Sequence, residues 1–470
     1  MRHLRSLLPI LALSLAAHAA EPPKGFTALF NGKDLSGWYG WGTQDPTDLW
    51  KMSPAEQADY KKKSVEGGLL DKKGNPGTDH VNAHWRVENG ELVNDGKGLY
   101  LTTGKDYGDF ELWLEYKALP KGDSGVYLRG IPQVQIWDPA EDDPKGLGRA
   151  LGSGGLWNNS KGAPGKDPSK KMDKPLGEWN QFKITMIGER VTIVFNGEKV
   201  VDNAVLENFF ANKKAGYLAY GDSKDKAPEP GTDPNAIRDP AFQKGPIQLQ
   251  THGSEIRWRN VFIREIPAED ANKALAADGD KGFTRLDNGK DLSNWQGAVE
   301  NYEMKDGAIH CKAGKGGDLL SKEEYGDMIL RFEFKLPPGG NNGIALRAPL
   351  GGRSSADGLE IQVIDNDGYN AKAKKPLEPY QYHGSIYYCV GAKPGFLRPP
   401  GEWNHEEIEV RGQRITVTLN GTRILDADLD KIDRSKLPKV PGGLDRKSGH
   451  IGFAGHNDPV AFRNFRVKRL

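Results

Sequence analysis

The chain has 470 residues, more than one ordinary domain needs and comfortable for two. Its formal net charge of +1 carries no electrostatic footprint for nucleic acid or an anionic membrane, so neither partner is expected. With 59 glycines, 30 prolines and a mean hydropathy of −0.65, the composition suits short strands joined by many turns better than long helices.

The first residues read as a secretory signal over positions 1–19. Arg2, His3 and Arg5 are basic, Leu7 to Leu15 is a short apolar run, and Ala17-His18-Ala19 gives the small-x-small pattern of a cleavage site. The apolar run is too short to span about 30 Å of hydrocarbon. The mature protein is therefore expected to begin near Ala20, to be secreted or periplasmic, and to carry no membrane span. Export permits a disulfide between the two cysteines, Cys311 and Cys389, and two free thiols are equally compatible with the sequence.

The chain then runs twice through the same series of motifs. GFTALFNGKDLSGW from Gly25 to Trp38 returns as GFTRLDNGKDLSNW from Gly282 to Trp295. Tyr107-Gly108-Asp109 matches Tyr325-Gly326-Asp327, and Ser124-Gly125 through Arg129 matches Asn342-Gly343 through Arg347. Gly177-Glu178-Trp179-Asn180 matches Gly401-Glu402-Trp403-Asn404, and Trp258-Arg259-Asn260 matches Phe462-Arg463-Asn464. Ordered matches of this kind mark tandem domains. They are placed at 22–267 and 281–470, with a polar, alanine-rich linker at 268–280 that has room for a short helix.

Two insertions distinguish the first domain. In the first, about Tyr39 to His84, Ser53-Pro54-Ala55-Glu56 predicts a helix running to about Lys63: a Ser cap, Pro at the first helical position, and Glu three after the cap. The second, Gly221 to Pro246, reads as a long Pro/Asp/Gly loop forming a wall beside a site. The rest is antiparallel β. FELWLEYK from Phe110 and ILRFEFK from Ile329 alternate apolar and polar residues, while RVTIVFNG and RITVTLNG run into the hairpin turns Asn196-Gly197 and Asn420-Gly421. The predicted fold is all-β, two tandem jelly-roll sandwiches. The tryptophan of each GEWN is expected in the core.

One strand type has an unusual face. In Pro132 to Asp138, Val134 and Ile136 take one side, leaving Gln133, Gln135 and Trp137 on the other. In Gly358 to Asp365, Ile361 and Val363 oppose Glu360 and Gln362. If the preceding strand is the neighbour, Tyr127 and Arg129 join the first polar face and Arg347 the second. Arg, Gln and Glu offer many hydrogen bonds to a hydroxyl-rich ligand, and Trp a flat apolar surface for a sugar ring. An ordinary solvated sheet face with cross-strand pairing is the competing reading. Three histidines of the ten are suggestively placed: His252 and His456 before the last strand of each domain, and His383 in YHGSIY. Each is a candidate general base or a plain turn residue. There is no paired CxxC, HExxH, P-loop or dinucleotide fingerprint, so no nicotinamide or flavin site is expected.

FNGKDLSGW, YGDFELWLEYK, SGVYLR, the strand with alternate Gln or Glu ending in Asp, GEWN, and the closing LQTHG together resemble the 3-keto-disaccharide hydrolase family, also described as the 3-keto-glucoside-1,2-lyase and 3-keto-2-hydroxy-glucal hydratase domain. The resemblance covers nearly the whole mature chain, twice. It implies a concanavalin-like jelly roll, export, and action on glycosides or oligosaccharides oxidised at carbon 3. A ketone there acidifies the proton on carbon 2, so a base and an enolate stabiliser suffice to expel the aglycone from carbon 1. Water then adds across the resulting double bond. On that chemistry Glu360 or His383 is the expected acid/base, with Arg347 and Gln362 holding the ketone and hydroxyls. His456, Tyr127, Arg129, Gln133, Gln135, Trp137 and His252 are the remaining expected sugar contacts. No cofactor is evident; a divalent cation held by Glu360 and Asp365 stays open, although a regular strand puts them on opposite faces. Gln133 stands where the second domain has Glu360, and a glutamine carries no proton, so the first domain is expected to bind sugar without turnover or to recruit His252. A non-catalytic tandem carbohydrate-binding protein and an ordinary sandwich glycoside hydrolase are the alternatives.

Overall fold

A computed structural model describes residues 20–71, 74–214, 237–277, 281–373 and 375–470. The expected signal at 1–19, residues 221–236 of the second insertion and 278–280 of the linker lie outside them. Among the described residues, no helix is long and apolar enough to cross a membrane.

Alternation builds the core. The Phe110–Ala118 strand buries every second residue, and its partners Asn180–Ile187 and Ile256–Glu265 extend it into an eight-stranded antiparallel sheet. A five-stranded sheet packs against it, in the order Trp38–Trp41, Tyr100–Thr103, Gln248–Leu249, Asp123–Leu128, Ile131–Trp137. Leu101, Val126, Val134, Ile136 and Leu249 face Leu112, Leu114, Tyr116, Phe182 and Trp258 between the sheets. The second half repeats the plan, its five-stranded sheet running Trp295–Gly297, Gly316–Tyr325, Gly449–His456, Asn341–Ala348, Leu359–Ile364. Phe453 from this sheet anchors the second core, stacked against Trp295, Phe462 and Phe465. The molecule is thus two tandem concanavalin-like jelly-roll sandwiches. Both hairpin turns form as expected, with Asn196, Gly197, Asn420 and Gly421 all at positive φ.

The expected helix runs Pro54–Glu66, with Ser53 Oγ accepting from Glu56 N and Ser53 N donating to Glu56 Oε2. It lies on the Trp38–Trp41 strand: Tyr60 packs edge-on to Trp41, and Gly40 N donates to Ser64 Oγ. A Cβ on Gly40 would stand 2.7 Å from Leu99 Cδ1 and 3.0 Å from the Ser64 carbonyl, so glycine permits this close docking. The linker is not a free tether. Its Ala268–Ala276 helix buries Asn272, whose Nδ2 donates to Glu333 Oε2 and the Trp403 carbonyl of the second sandwich. The sandwiches also meet where Arg423 N donates to Glu189 Oε1 and Gln243 Nε2 to the Leu397 carbonyl.

One expectation fails here. Trp179 and Trp403 are half-buried rather than core. Each lies between two cations on the outer face of the large sheet, Trp179 between Lys117 and Arg259, Trp403 between Lys335 and Arg463. Of the two readings open for the cysteines the structure takes free thiols, and burial pushes Cys311 up to about 11 and Cys389 up to about 12.

Candidate functional site

A solvated sheet face would leave Gln133, Gln135, Glu360 and Gln362 in water. All four are buried. The reason is a segment that flanks each edge strand and closes over it: Gln135 N donates to the Gly155 carbonyl, and Gln362 N to the Ser385 carbonyl. Each open sheet face is therefore the floor of a site.

In the first domain the floor opens into a cavity of about 880 Å³ lined by Tyr127, Gln133, Gln135, Trp137 and His252, five residues expected there. Its walls are aromatic. Trp157 meets Trp137 edge-on at 5.7 Å, and Tyr100 meets Tyr127 at 5.5 Å. Thr43 of the first insertion closes one end, its hydroxyl 2.9 Å from Tyr100 OH and 3.0 Å from Tyr127 OH. On the floor Gln133 Nε2 donates to Gln135 Oε1, and Gln135 Nε2 to Asp123 Oδ1 at 3.0 Å. The buried Gln250 Oε1 has no hydrogen-bond partner in the protein, so it is free to accept from a ligand. His252 Nδ1 lies 3.1 Å from Asp123 Oδ2, which also takes Arg149 Nη2 at 3.3 Å. The contact with Asp123 raises the His252 pKa above the ordinary histidine value.

In the second domain Glu360, Gln362 and His456 come together. Glu360 is 2% exposed, and its Oε1 makes no hydrogen bond within the protein. His456 Nε2, on a side chain 47% exposed, stands 3.5 Å from that oxygen, a charge contact rather than a tight hydrogen bond. Burial raises the Glu360 pKa, which the histidine only partly opposes. The same contact raises His456. Gln362 Nε2 donates to Asn341 Oδ1 at 2.9 Å, leaving Oε1 unpartnered. Tyr387 N donates to the Glu360 carbonyl, and burial raises its phenol to about 12.

Four expected residues are elsewhere. Arg129 and Arg347 have φ of 53° and 51°, which breaks the two-residue alternation and turns each side chain off the polar face. Arg129 donates to the carbonyls of Gly108, Gly188 and Phe242 and pairs with Asp109 at 2.9 Å. Arg347 donates to Gln413 Oε1 and the carbonyls of Gly412 and Gly443. Both are buried clamps on loops, off the polar face. His383 is 1% exposed between the sheets, its ring 4.9 Å from Phe334 and Nε2 2.8 Å from the buried Glu406 Oε2. It does not reach the Glu360 face. Asp365 caps the Asn366–Lys372 helix, taking Gly368 N on Oδ1 and Gly339 N on Oδ2, and does not join Glu360 in a cation site. Among the described residues, no three His, Cys, Asp or Glu side chains gather to hold a metal ion.

Asp123, Gln250, Tyr100, Arg149 and Asn341 were not anticipated. Asp123 was within reach of the pattern: it has the same parity as Gly125 and Tyr127 on its strand, so period two alone puts it on the polar face.

Paired sandwiches whose open faces each set a histidine beside a carboxylate among amides, with aromatic walls in the first, are the frame of a carbohydrate-active class of protein. Residues 25–264 and 282–468 match the 3-keto-alpha-glucoside-1,2-lyase-like domain, and the chain belongs to that family. A relative from Bacteroides thetaiotaomicron described as a 3-keto-disaccharide hydrolase is 28% identical over 243 residues, 43% of this chain and 83% of its own. A solved putative glycosyl hydrolase from Parabacteroides distasonis is 27% identical with a TM-score of 0.35, covering 40% of this chain and 99% of its own. A carbohydrate-binding module from Bacillus subtilis is 14% identical with a TM-score of 0.24, covering 40% and 95%.

Proposed function

We propose that the protein cleaves glycosides already oxidised at carbon 3, by elimination across carbons 1 and 2 followed by hydration, a net hydrolysis. The observation that carries this reading is Glu360: a buried carboxyl, raised in pKa, with a free oxygen beside a half-exposed histidine. Such a pair moves protons near neutral pH. In the first step the Glu360–His456 pair takes the carbon 2 proton, and the C–H electron pair moves to the ketone oxygen as an enolate. The enolate collapses, a C1=C2 double bond forms, and the C1–O bond breaks. Its electron pair leaves with the aglycone oxygen, which takes up a proton. In the second step water adds hydroxide to carbon 1 and a proton to carbon 2. No electron leaves the substrate, because its oxidation precedes this reaction.

With Arg347 turned away, protonated His456 and the Tyr387 hydroxyl are the donors nearest to hand for the enolate. Gln362 Oε1 accepts from a sugar hydroxyl. An ordinary glycosidase needs two opposed carboxyl groups, one on each side of the scissile bond. Here the second domain offers Glu360 with an amide, Gln362, next to it. The family membership and the name of the Bacteroides relative support the same substrate class. The basic, apolar, small-residue start of the chain supports an exported setting, with N-terminal sequencing of the mature protein expected to begin near Ala20.

The test is to incubate the protein with a 3-keto-glucoside and with its unoxidised parent. Aglycone release from the keto sugar alone supports the proposal. Release from the parent indicates a conventional glycoside hydrolase, and binding of either sugar without release a carbohydrate-binding protein.

A further inference from the structure

Strand register allows the two floors to be laid over one another. Gly125 pairs with Gln135 as Gly343 pairs with Gln362, and Val126 with Val134 as Ile344 with Ile361. On the other side Val126 pairs with Leu249 as Ile344 pairs with Phe453, which sets Gln250 at the place of Ala454 and His252 at the place of His456. Gln133 then occupies the place of Glu360, and Asp123 the place of Asn341. The acid and the amide have exchanged strands. Where the second domain has Glu360 and Asn341, the first has Gln133 and Asp123. Each floor sets a carboxylate against the same histidine, 3.5 Å in the second domain and 3.1 Å in the first; in the second, Asp318 and Asp458 also act on His456 from further off.

We propose that the first domain is a second acid/base site, in which His252 exchanges protons with substrate and Asp123 serves as its carboxylate. Gln133 carries no proton, but Asp123 puts a carboxylate one strand away, beside the matching histidine. Asp123 is fixed from two sides, Arg149 on Oδ2 and Gln135 on Oδ1, while His252 is 63% exposed where it lines the cavity. The buried, unpartnered Gln250 Oε1 points to a bound polar ligand rather than to a vestigial face.

The walls assign the substrate class. Tyr100, Tyr127, Trp137 and Trp157 stand where the second domain has Asp318, Ala345, Ile364 and Tyr387. A cavity of about 880 Å³ with four aromatic residues suits a glycoside with a second ring, a sugar or an aryl aglycone. This rests on the 3-keto-glycoside reading above and adds to it a second site of different selectivity.

The experiment compares Glu360→Gln with Glu360→Gln/Asp123→Asn and Glu360→Gln/Asp123→Asn/Gln133→Glu, on a 3-keto-glucoside with an aryl aglycone and on its methyl counterpart. Circular dichroism and thermal melting confirm folding. Glu360→Gln is expected to keep turnover of the aryl substrate and lose most of that on the methyl one. Adding Asp123→Asn should cut the remaining rate at least about a hundredfold and move the pH–rate limb downward, because His252 loses the contact that raises it. Adding Gln133→Glu should restore at least about tenfold, since it rebuilds the second domain's arrangement. The proposal is overturned if Asp123→Asn leaves rate and pH profile unchanged, if the third substitution restores nothing, or if Glu360→Gln alone removes all turnover. A wild-type protein inert towards both keto sugars sinks the underlying functional reading instead.

Discussion

Replacing Glu360 by glutamine should move activity and stability in opposite directions. Glu360 is almost fully buried, the Asp318 carboxylate adds to the upward push that burial gives its pKa, and its nearest cation is His456 at 3.5 Å. With both ionised, their attraction at an effective dielectric of about 20 is about 5 kcal/mol before discounting for the half-exposed imidazole. Desolvating the carboxylate costs several kcal/mol, so the charged pair roughly breaks even. Once His456 loses its proton, that offset is gone. A carboxyl with a raised pKa keeps its proton more readily in the folded than in the unfolded state. Its stabilising contribution is therefore present at low pH and lost as pH rises through the folded value. Glutamine has no such loss. Glu360→Gln is expected to be about neutral in stability at pH 5 and about 1–2 kcal/mol more stable at pH 8, a Tm rise of about 2–4 °C per kcal/mol for a domain of this size. In a His252→Ala background, which isolates the second site, the same change should cut keto-glycoside turnover by about 10²–10⁴. Calorimetry at both pH values and steady-state aglycone release measure the two effects. A Tm that falls at pH 8, or a rate left intact, would refute the reasoning.

Other consequences follow from the same geometry. A Cβ on Gly343 would sit 2.2 Å from Glu360 Oε1 and 2.5 Å from its Cγ, so Gly343→Ala should swing the carboxyl off His456. Second-site turnover should drop about tenfold or more in a folded protein, and an unchanged rate would show that the carboxyl position is irrelevant. Arg347→Ala strands the Gly412 and Gly443 carbonyls and should cost about 2–4 kcal/mol in a melt. Its KM and pH profile per folded molecule should hold, whereas a raised KM would return Arg347 to the substrate. Burial, with Arg466 adding to it, drives His405 down to about 4, so the second domain should lose up to about 3 kcal/mol as pH falls from 6.5 towards 4. His405→Gln, which installs the residue that Gln181 supplies at the matching place, should flatten that loss in acid melts.

Much of this architecture was legible because period two is a local property. Val134 and Ile136 against Gln133, Gln135 and Trp137, or Ile361 and Val363 against Glu360 and Gln362, need only an extended chain to separate. The same rule misled at Arg129 and Arg347, where one residue at positive φ ends the alternation, a backbone state that arginine does not announce. His383 was misplaced for a different reason. It lies on a segment whose path is set by pairing with Gln362 and by stacking on Phe334, contacts far along the chain. The cavity walls were illegible for the same cause: Tyr100, Thr43 and Arg149 reach the floor from three separate segments.

The exchange of Asp123 and Gln133 for Asn341 and Glu360 shows why aligning motifs undercounts a duplicated site. Read along the chain, Gln133 facing Glu360 is a lost proton carrier. Across the sheet, those positions belong to neighbouring strands whose side chains share one histidine. A second carboxylate directly beside the first would raise its pKa further, as Asp318 already does to Glu360 from across the sheet. An amide at the partner position avoids such a push at close range. A variant with both carboxylates, Gln133→Glu in an otherwise native first domain, should be less active at neutral pH than either natural pairing. If pH–rate measurements found it equal or faster, the exchange would be coincidence rather than constraint.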